Sequence, residues 1–278
     1  MSDPSLFLFV PADRPERYAR ALASGADAVI IDLEDAVAAE RKSLARNTLC
    51  DALNQAPASP SPLLVRINAI GTPWHSDDMA ATLALLSIGR ITGVMLPKAE
   101  SGDDIAAVRA ALAPVTTNII ALIETAAGVA NAGAIALAAD RIAFGSIDFA
   151  ADIGCDHVRE ALLFARSQLV IAARLAKRGA PIDGVTRSTR DETGIEADAR
   201  YGAGLGLKAK LLIHPAQVAP ARRGLMPTQA EIDWADQVLK SSPDGSAVSI
   251  DGQMIDAPVI ARALQIRNDH NRHSNRQT

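Results

Sequence analysis

One unit recurs along the chain: a short apolar run closed by polar or acidic residues, then a stretch whose apolar positions repeat at helical spacing. "LFLFV" (6–10) leads into "PERYARALASG" (15–25), and "AVIIDLED" (28–35) into "AAERKSLARNTLCDAL" (38–53). "LLVRIN" (63–68) follows the Pro/Ser-rich connection "APASPSP" (56–62). "GVMLPKAE" (93–100) precedes "GDDIAAVRAALA" (102–113), and "NIIALIET" (118–125) precedes "GVANAGAIALAA" (128–139). "RIAFGSID" (141–148), the helical "REALLFARSQLVIAARLAKRG" (159–179), "PIDGV" (181–185) and "AKLLIHP" (209–215) complete the series. Roughly eight strands alternating with helices form an α/β TIM (β/α)8 barrel. A doubly wound sheet would need fewer strands and a glycine-rich phosphate loop after the first, where this chain has "VPADRPER" (10–17). "YGAGLGLKAK" (201–210) fits neither nucleotide motif and precedes a strand, so it reads as a helix-to-strand turn.

Beyond residue 222 the repeat stops. "MPTQAEIDWADQVLKSS" (226–242) reads as a capped helix, "PDGSAVSIDGQM" (243–254) as a short hairpin and "APVIARALQIR" (257–267) as a last helix. Residues 1–222 are therefore assigned to the barrel and 223–278 to an appendage, too small to hold a core alone, that packs on the barrel or a neighbouring subunit. The basic, polar end "RNDHNRHSNRQT" (267–278) is expected to be solvated and frayed.

Composition narrows the function classes. Across 278 residues, 49% are hydrophobic and the net charge is only −4, which suits a globular chain and leaves no basic footprint for nucleic acid. Cys50 and Cys155 lack CxxC spacing and read as small buried hydrophobes, with no disulfide framework or zinc site. The opening "MSDPSLFLFVPADRPER" has no basic leader, and no stretch nears the roughly 20 apolar residues of a membrane span. A cytoplasmic protein without membrane contact is expected.

In such barrels, chemistry sits at the C-terminal ends of the strands. Those ends carry Asp32, Glu34 and Asp35; Arg66 and Asn68; Lys98 and Glu100; Glu124; Asp148; and His214. Carboxylates facing one cavity repel unless protonated, paired or holding a cation, and a few hard oxygen ligands favour Mg2+. Structural roles stay open for each residue. Asp32 and Asp35 can cap the following helix, Lys98 can pair with Glu100, Arg66 can be structural, and His214 before Pro215 can orient a loop. His75 and His157 show no partner and are expected at the surface. Residue types and spacing reach a metal-dependent barrel enzyme acting on an anion.

"LFVPADRPERYARALASGADAVIIDLEDAV", "VRINAIGTPWHSDD", "GVMLPKAES", "ALIETAAGV", "AFGSIDFAADIG", "IHPAQV" and "MIDAPVIARA" resemble, in order and across nearly the whole chain, the citrate lyase beta subunit-like family. That family lies in the HpcH/HpaI aldolase group of the phosphoenolpyruvate/pyruvate barrel superfamily. The resemblance implies that Glu124 and Asp148 bind Mg2+, with Mn2+ as a possible substitute. It implies that Arg66 binds a substrate carboxylate, helped by backbone amides around Ser146 and Ile147, with Glu34 and Asp35 as outer acids that hydrogen-bond metal waters. Period-two alternation puts Asp32 and Glu34 on one strand face, which leaves open which pair points inward. Arg14 is a candidate for the thioester side. Asp256, delivered by the C-terminal segment of a neighbouring subunit, is the implied proton donor or acceptor, against the reading of an N-cap before Pro258.

The implied reaction cleaves a 3-hydroxyacyl thioester such as citryl-, citramalyl- or malyl-CoA into a 2-keto acid and an acyl thioester, or reverses this. The thioester sits on CoA or a carrier protein, and a homo-oligomer, trimer or hexamer, is implied. A thioesterase or synthase on the same substrates, a non-thioester class II aldolase and a non-catalytic barrel are the competing readings. The chain departs from the family pattern at Ala127, where many relatives carry Arg, and at Ser188, often an acidic position.

Overall fold

The computed structural model describes residues 4–57, 59, 61–241, 248–250 and 253–274. Eight strands close a parallel barrel in sequence order. They are β1 (Leu6–Pro11), β2 (Ala28–Asp32), β3 (Leu63–Arg66), β4 (Gly93–Leu96), β5 (Asn118–Ile123), β6 (Arg141–Phe144), β7 (Ile182–Asp183) and β8 (Ala209–Leu212). Around them run α1 (Tyr18–Leu22), α2 (Lys42–Gln55), α3 (His75–Ser87), α4 (Gly102–Ala111), α5 (Ala126–Ala130) and α6 (Ala132–Ala138). The ring continues with α7 (Ser146–Ile153), α8 (Arg159–Leu175), α9 (Glu192–Leu205) and α10 (Val218–Leu225). No helix among the described residues is long and apolar enough to cross a membrane.

Alternation along the strands sorts the buried residues into two layers. Phe7, Ala28, Ile30, Leu64, Met95, Ile120, Leu122, Ala143, Ile182, Ala209 and Leu211 fill the barrel interior. Their strand neighbours, among them Leu8, Val29, Ile31, Val65, Val94, Ala121, Ile142 and Leu212, pack outward against the helices. Continuing the inward columns by steps of two reaches Asp32 and Glu34 after Ile30, Arg66 after Leu64, and Glu124 after Leu122. The barrel is thus apolar inside and charged at its C-terminal mouth.

α10 crosses residue 222 and ends at Leu225. The remainder comprises α11 (Gln229–Ser241), the antiparallel pair β9 (Val248–Ile250) and β10 (Gln253–Ile255), and α12 (Ala257–Ser274). Ala235, Val238, Ile255, Ala263 and Ile266 form a small buried cluster within it. The expectation of a frayed tail from residue 267 is corrected as far as Ser274: α12 continues to that residue, with Arg267 paired to Asp236 at 3.2 Å and Asp269 to Lys208 of the barrel at 3.4 Å, and 275–278 lie outside the described residues. Cys50 and Cys155 are free and only half-buried against the core.

Candidate active site

Strand register explains the first contact at the mouth. Asp32 and Arg66 are register partners on β2 and β3, so their side chains rise together. Arg66 Nε donates to Asp32 Oδ1 at 2.7 Å and Nη2 to Oδ2 at 2.6 Å, a two-pronged pair. Asp32 also accepts the backbone N–H groups of Glu34 (2.9 Å) and Ala36 (3.0 Å), which turns the chain after β2. Burial alone would raise the Asp32 carboxyl, but the Arg66 guanidinium overrides it and holds the group below its ordinary value. The fork that the sequence assigns to a substrate carboxylate is therefore filled by Asp32. Arg66 Nη1 stays toward the other acids, 2.9 Å from Glu34 Oε2 and 3.3 Å from Asp35 Oδ2, while its guanidinium stacks 4.7 Å over Phe9.

The alternation left open at "DLED" resolves as Asp32 and Glu34 buried and Asp35 exposed. Glu34 lies between two cations: Lys98 Nζ donates to its Oε1 at 2.5 Å, and Arg66 stands on the other side. Its carboxyl is still pushed up, because burial outweighs Arg66 and Lys98. Behind it, Lys42 Nζ donates to the carbonyls of Leu33 (2.9 Å) and Glu34 (2.8 Å), fixing the loop. Lys98 does not pair with Glu100, as the sequence allowed; Glu100 is exposed outside the cavity, and its N–H donates to Asp104 in the cap of α4.

Glu124 is 2% exposed at the end of β5. Its Oε1 accepts the Lys98 N–H at 2.9 Å. A side chain at Gly145 would overlap Glu124 Oε2, so glycine there is what lets the carboxylate lie flat against the β6 turn. Burial first, then Glu34 and Asp148, push the Glu124 carboxyl up to about 8. Asp148 stands in the first turn of α7, whose opening N–H groups have no helical partner. Asp32, Asp35, Arg66, Glu124, Gly145, Ser146, Ile147 and Asp148 line one cavity of about 460 Å³, walled by Phe9, Leu122, Phe144, Val185, Leu211 and Ile213.

The donor set fits a hard divalent cation. Five acids (Asp32, Glu34, Asp35, Glu124, Asp148) meet two cations (Arg66, Lys98), and burial with Glu34 beside it pushes the Glu124 carboxyl up. No group of three His, Cys, Asp or Glu side chains among the described residues could hold a metal, and Glu124 and Asp148 are two carboxylates that line the same cavity.

Other sequence candidates fall elsewhere. Arg14 is half-exposed beside Asp13 at 3.8 Å and lines no described cavity here. Arg17 and Arg20, which the sequence reading passed over, line an adjoining cavity of about 310 Å³ with His214 and share Phe9, Pro11 and Ile213 with the first. His214 accepts the Ala216 N–H at 3.1 Å and orients its loop. Asn68 is structural, bridging Leu33 O and Asp78. The two surface histidines are corrected: His75 Nδ1 meets Asn68 O at 2.9 Å, and His157 Nε2 meets Ser146 Oγ at 3.0 Å, propping the start of α7. Asp256 caps α12, accepting the Val259 N–H at 3.3 Å, and does not line its own chain's cavity. Ala127 lies in α5, and Ser188 Oγ accepts the Arg190 and Asp191 N–H groups ahead of α9.

A closed barrel with an acidic, arginine-bearing cavity at its C-terminal mouth has the layout by which barrel enzymes are recognised. The HpcH/HpaI aldolase/citrate lyase family matches residues 5–215. A citrate lyase subunit beta-like protein of Mycobacterium tuberculosis is 39% identical over 267 residues, covering 92% of both chains. The (3S)-malyl-CoA thioesterase of Cereibacter sphaeroides is 32% identical over 268 residues, 93% of this chain and 91% of its own. Protein CitE of M. tuberculosis, in a crystal structure with magnesium, acetoacetate and coenzyme A, superposes with a TM-score of 0.84 at 36% identity, over 97% of this chain and 99% of that one. The chain belongs to the HpcH/HpaI aldolase/citrate lyase family, as a citrate lyase beta subunit-like member.

Proposed function

We propose that the protein is a cytoplasmic Mg2+-dependent carbon–carbon lyase, with Mn2+ as a substitute ion, that cleaves a 3-hydroxyacyl thioester into a 2-keto acid and an acyl thioester or joins them in reverse. The observation that carries this reading is the meeting of Glu124, Asp148 and Arg66 in one cavity: a cation site beside an anion site. The magnesium, acetoacetate and coenzyme A bound to the M. tuberculosis protein support it.

Glu124 and Asp148 would hold Mg2+, which would supply Lewis-acid stabilisation for ionising the substrate hydroxyl, whose charge passes to the acyl thioester as the carbon–carbon bond breaks. Arg66, fixed by Asp32, presents Nη1 to the substrate carboxylate, and the amides of Ser146 and Ile147 at the start of α7 add donors. Glu34 and Asp35 accept hydrogen bonds from water in the cavity and hold it in place. The apolar wall of Phe9, Leu122, Phe144, Val185 and Leu211 limits further water, which strengthens each of these contacts. The adjoining cavity with Arg17, Arg20 and His214 suits the anionic handle of a CoA thioester, with Arg14 nearer solvent.

The hydroxyl gives up a proton as it becomes the keto group, and the leaving acyl thioester takes one up. Asp256 caps a helix outside its own cavity, so the reading assigns the proton to Asp256 of a neighbouring subunit and makes the enzyme a homo-oligomer, trimer or hexamer. Hydrolysis of the same thioester is a second reading, favoured by the likeness to a malyl-CoA thioesterase. Glu124→Ala and Asp148→Ala test the metal assignment: each abolishes Mg2+ binding and turnover while the far-UV circular dichroism stays unchanged. Near-normal activity of Glu124→Ala in Mg2+ overturns it.

A further inference from the structure

Lys98 combines three features that no structural role of a surface lysine requires. Its φ is +49°, left-handed for a residue with a side chain. This conformation is the kind that persists where the surroundings over-determine it, often at functional sites. Pro97 before it is buried, and the Ala99 N–H after it joins the β5 carbonyl of Leu122 at 3.1 Å, so the chain is pinned on both sides of the turn. Within that turn the Lys98 N–H is aimed at Glu124 Oε1 (2.9 Å), and its side chain reaches Glu34. The ammonium lies 2.5 Å from Glu34 Oε1 and 3.8 Å from Glu124 Oε1. Arg66 Nη1 stands 2.9 Å from Glu34 Oε2, so the ammonium and the guanidinium hold one oxygen each of that carboxylate.

We propose that Lys98 is a resident counter-cation of the carboxylate cluster, bridging Glu34 and Glu124 in the metal-free protein and competing with the divalent cation for Glu124. This rests on the reading of Glu124 as a metal ligand. In the metal-free site the ammonium balances two buried acids that would otherwise repel. When a divalent cation takes Glu124, the ammonium withdraws onto Glu34, the nearer of its two partners. The charge itself sets the metal affinity: a unit and a divalent charge some 4 to 6 Å apart, screened as at a solvent-open mouth, oppose binding by about tenfold.

The test is isothermal titration of Mg2+ into metal-stripped wild type, Lys98→Met, Lys98→Arg and Glu124→Gln at one ionic strength. Lys98→Met binds Mg2+ about tenfold more tightly, and Lys98→Arg, which keeps the charge, stays within about twofold of wild type. Unchanged or weaker binding by Lys98→Met overturns the proposal, because a lysine that merely holds structure alters melting temperature and leaves the Mg2+ dissociation constant alone. Should Lys98→Met not fold, Lys98→Gln gives the same readout. If Glu124→Gln binds Mg2+ as tightly as wild type, the ligand assignment itself fails, and this proposal falls with it.

Discussion

Replacing Arg66 with methionine strips the 1%-exposed Asp32 of both prongs of its pair and leaves Glu34 and Asp35 without their shared counter-charge. Breaking a buried pair from one side costs about 3 to 5 kcal/mol, since the surviving charge is stranded. Asp32 keeps only its two backbone N–H contacts, at 2.9 and 3.0 Å. Arg66→Lys is milder, about 1 to 3 kcal/mol, because a lysine cannot span both Asp32 oxygens. Urea unfolding at several pH values reads both. The folded Asp32 carboxyl lies below its unfolded value of about 3.9, so the pair's contribution is complete above that pH and fades as pH falls through the folded value. The gap between wild type and Arg66→Met therefore narrows below about pH 4. In turnover, Arg66→Lys loses about ten- to hundredfold in kcat/KM, the equivalent of about 1.4 to 2.8 kcal/mol at the transition state. An Arg66→Met protein destabilised by less than about 1 kcal/mol at pH 7, or a gap that does not change into acid, refutes the argument.

The Glu124 carboxyl, at about 8 without metal, must lose its proton to take a cation, so Mg2+ affinity rises with pH up to about 8 and then levels. Titrations in buffers of different ionisation heat should show proton release below that pH and none above; pH-independent affinity from 6 to 8 contradicts this. The same raised value makes the metal-free protein lose stability as pH climbs from the ordinary glutamate range of about 4.3 through about 8, and Mg2+ restores it, which thermal melts would record. Mixing inactive Glu124→Ala with inactive Asp256→Ala under subunit exchange should regenerate part of the activity in composite sites. No recovery despite proven exchange rules out delivery of Asp256 across an interface.

The barrel was legible because each apolar run ends in chemistry-bearing residues and hands over to a helical period, a local signal that needs no knowledge of contacts. The strand-end positions of Glu124, Asp148 and Arg66 were legible for the same reason, whereas Ser146 and Ile147 came only from the family resemblance. Pairings were not. That Asp32 takes the Arg66 fork follows from strand register, which no single strand reveals. Lys98 reaches Glu34 across 64 residues from a left-handed turn, whereas its sequence neighbour Glu100 is exposed. Arg17 and Arg20, three apart on the turn and helix after β1, face one cavity together, while Arg14 precedes that helical spacing and turns away. His157 looked solitary because its partner, Ser146, lies across the α7 turn.

The central claim is carbon–carbon cleavage dependent on Mg2+ at Glu124 and Asp148. It is tested most directly by incubating the protein with citramalyl-, malyl- and citryl-CoA, with Mg2+ or with EDTA, and following keto acid and acyl-CoA together by mass spectrometry. The account predicts that at least one thioester gives keto acid and the shortened acyl-CoA in equal amounts, only with Mg2+. Free CoA appearing with an intact hydroxy acid, or keto-acid release that EDTA leaves unchanged, would contradict it.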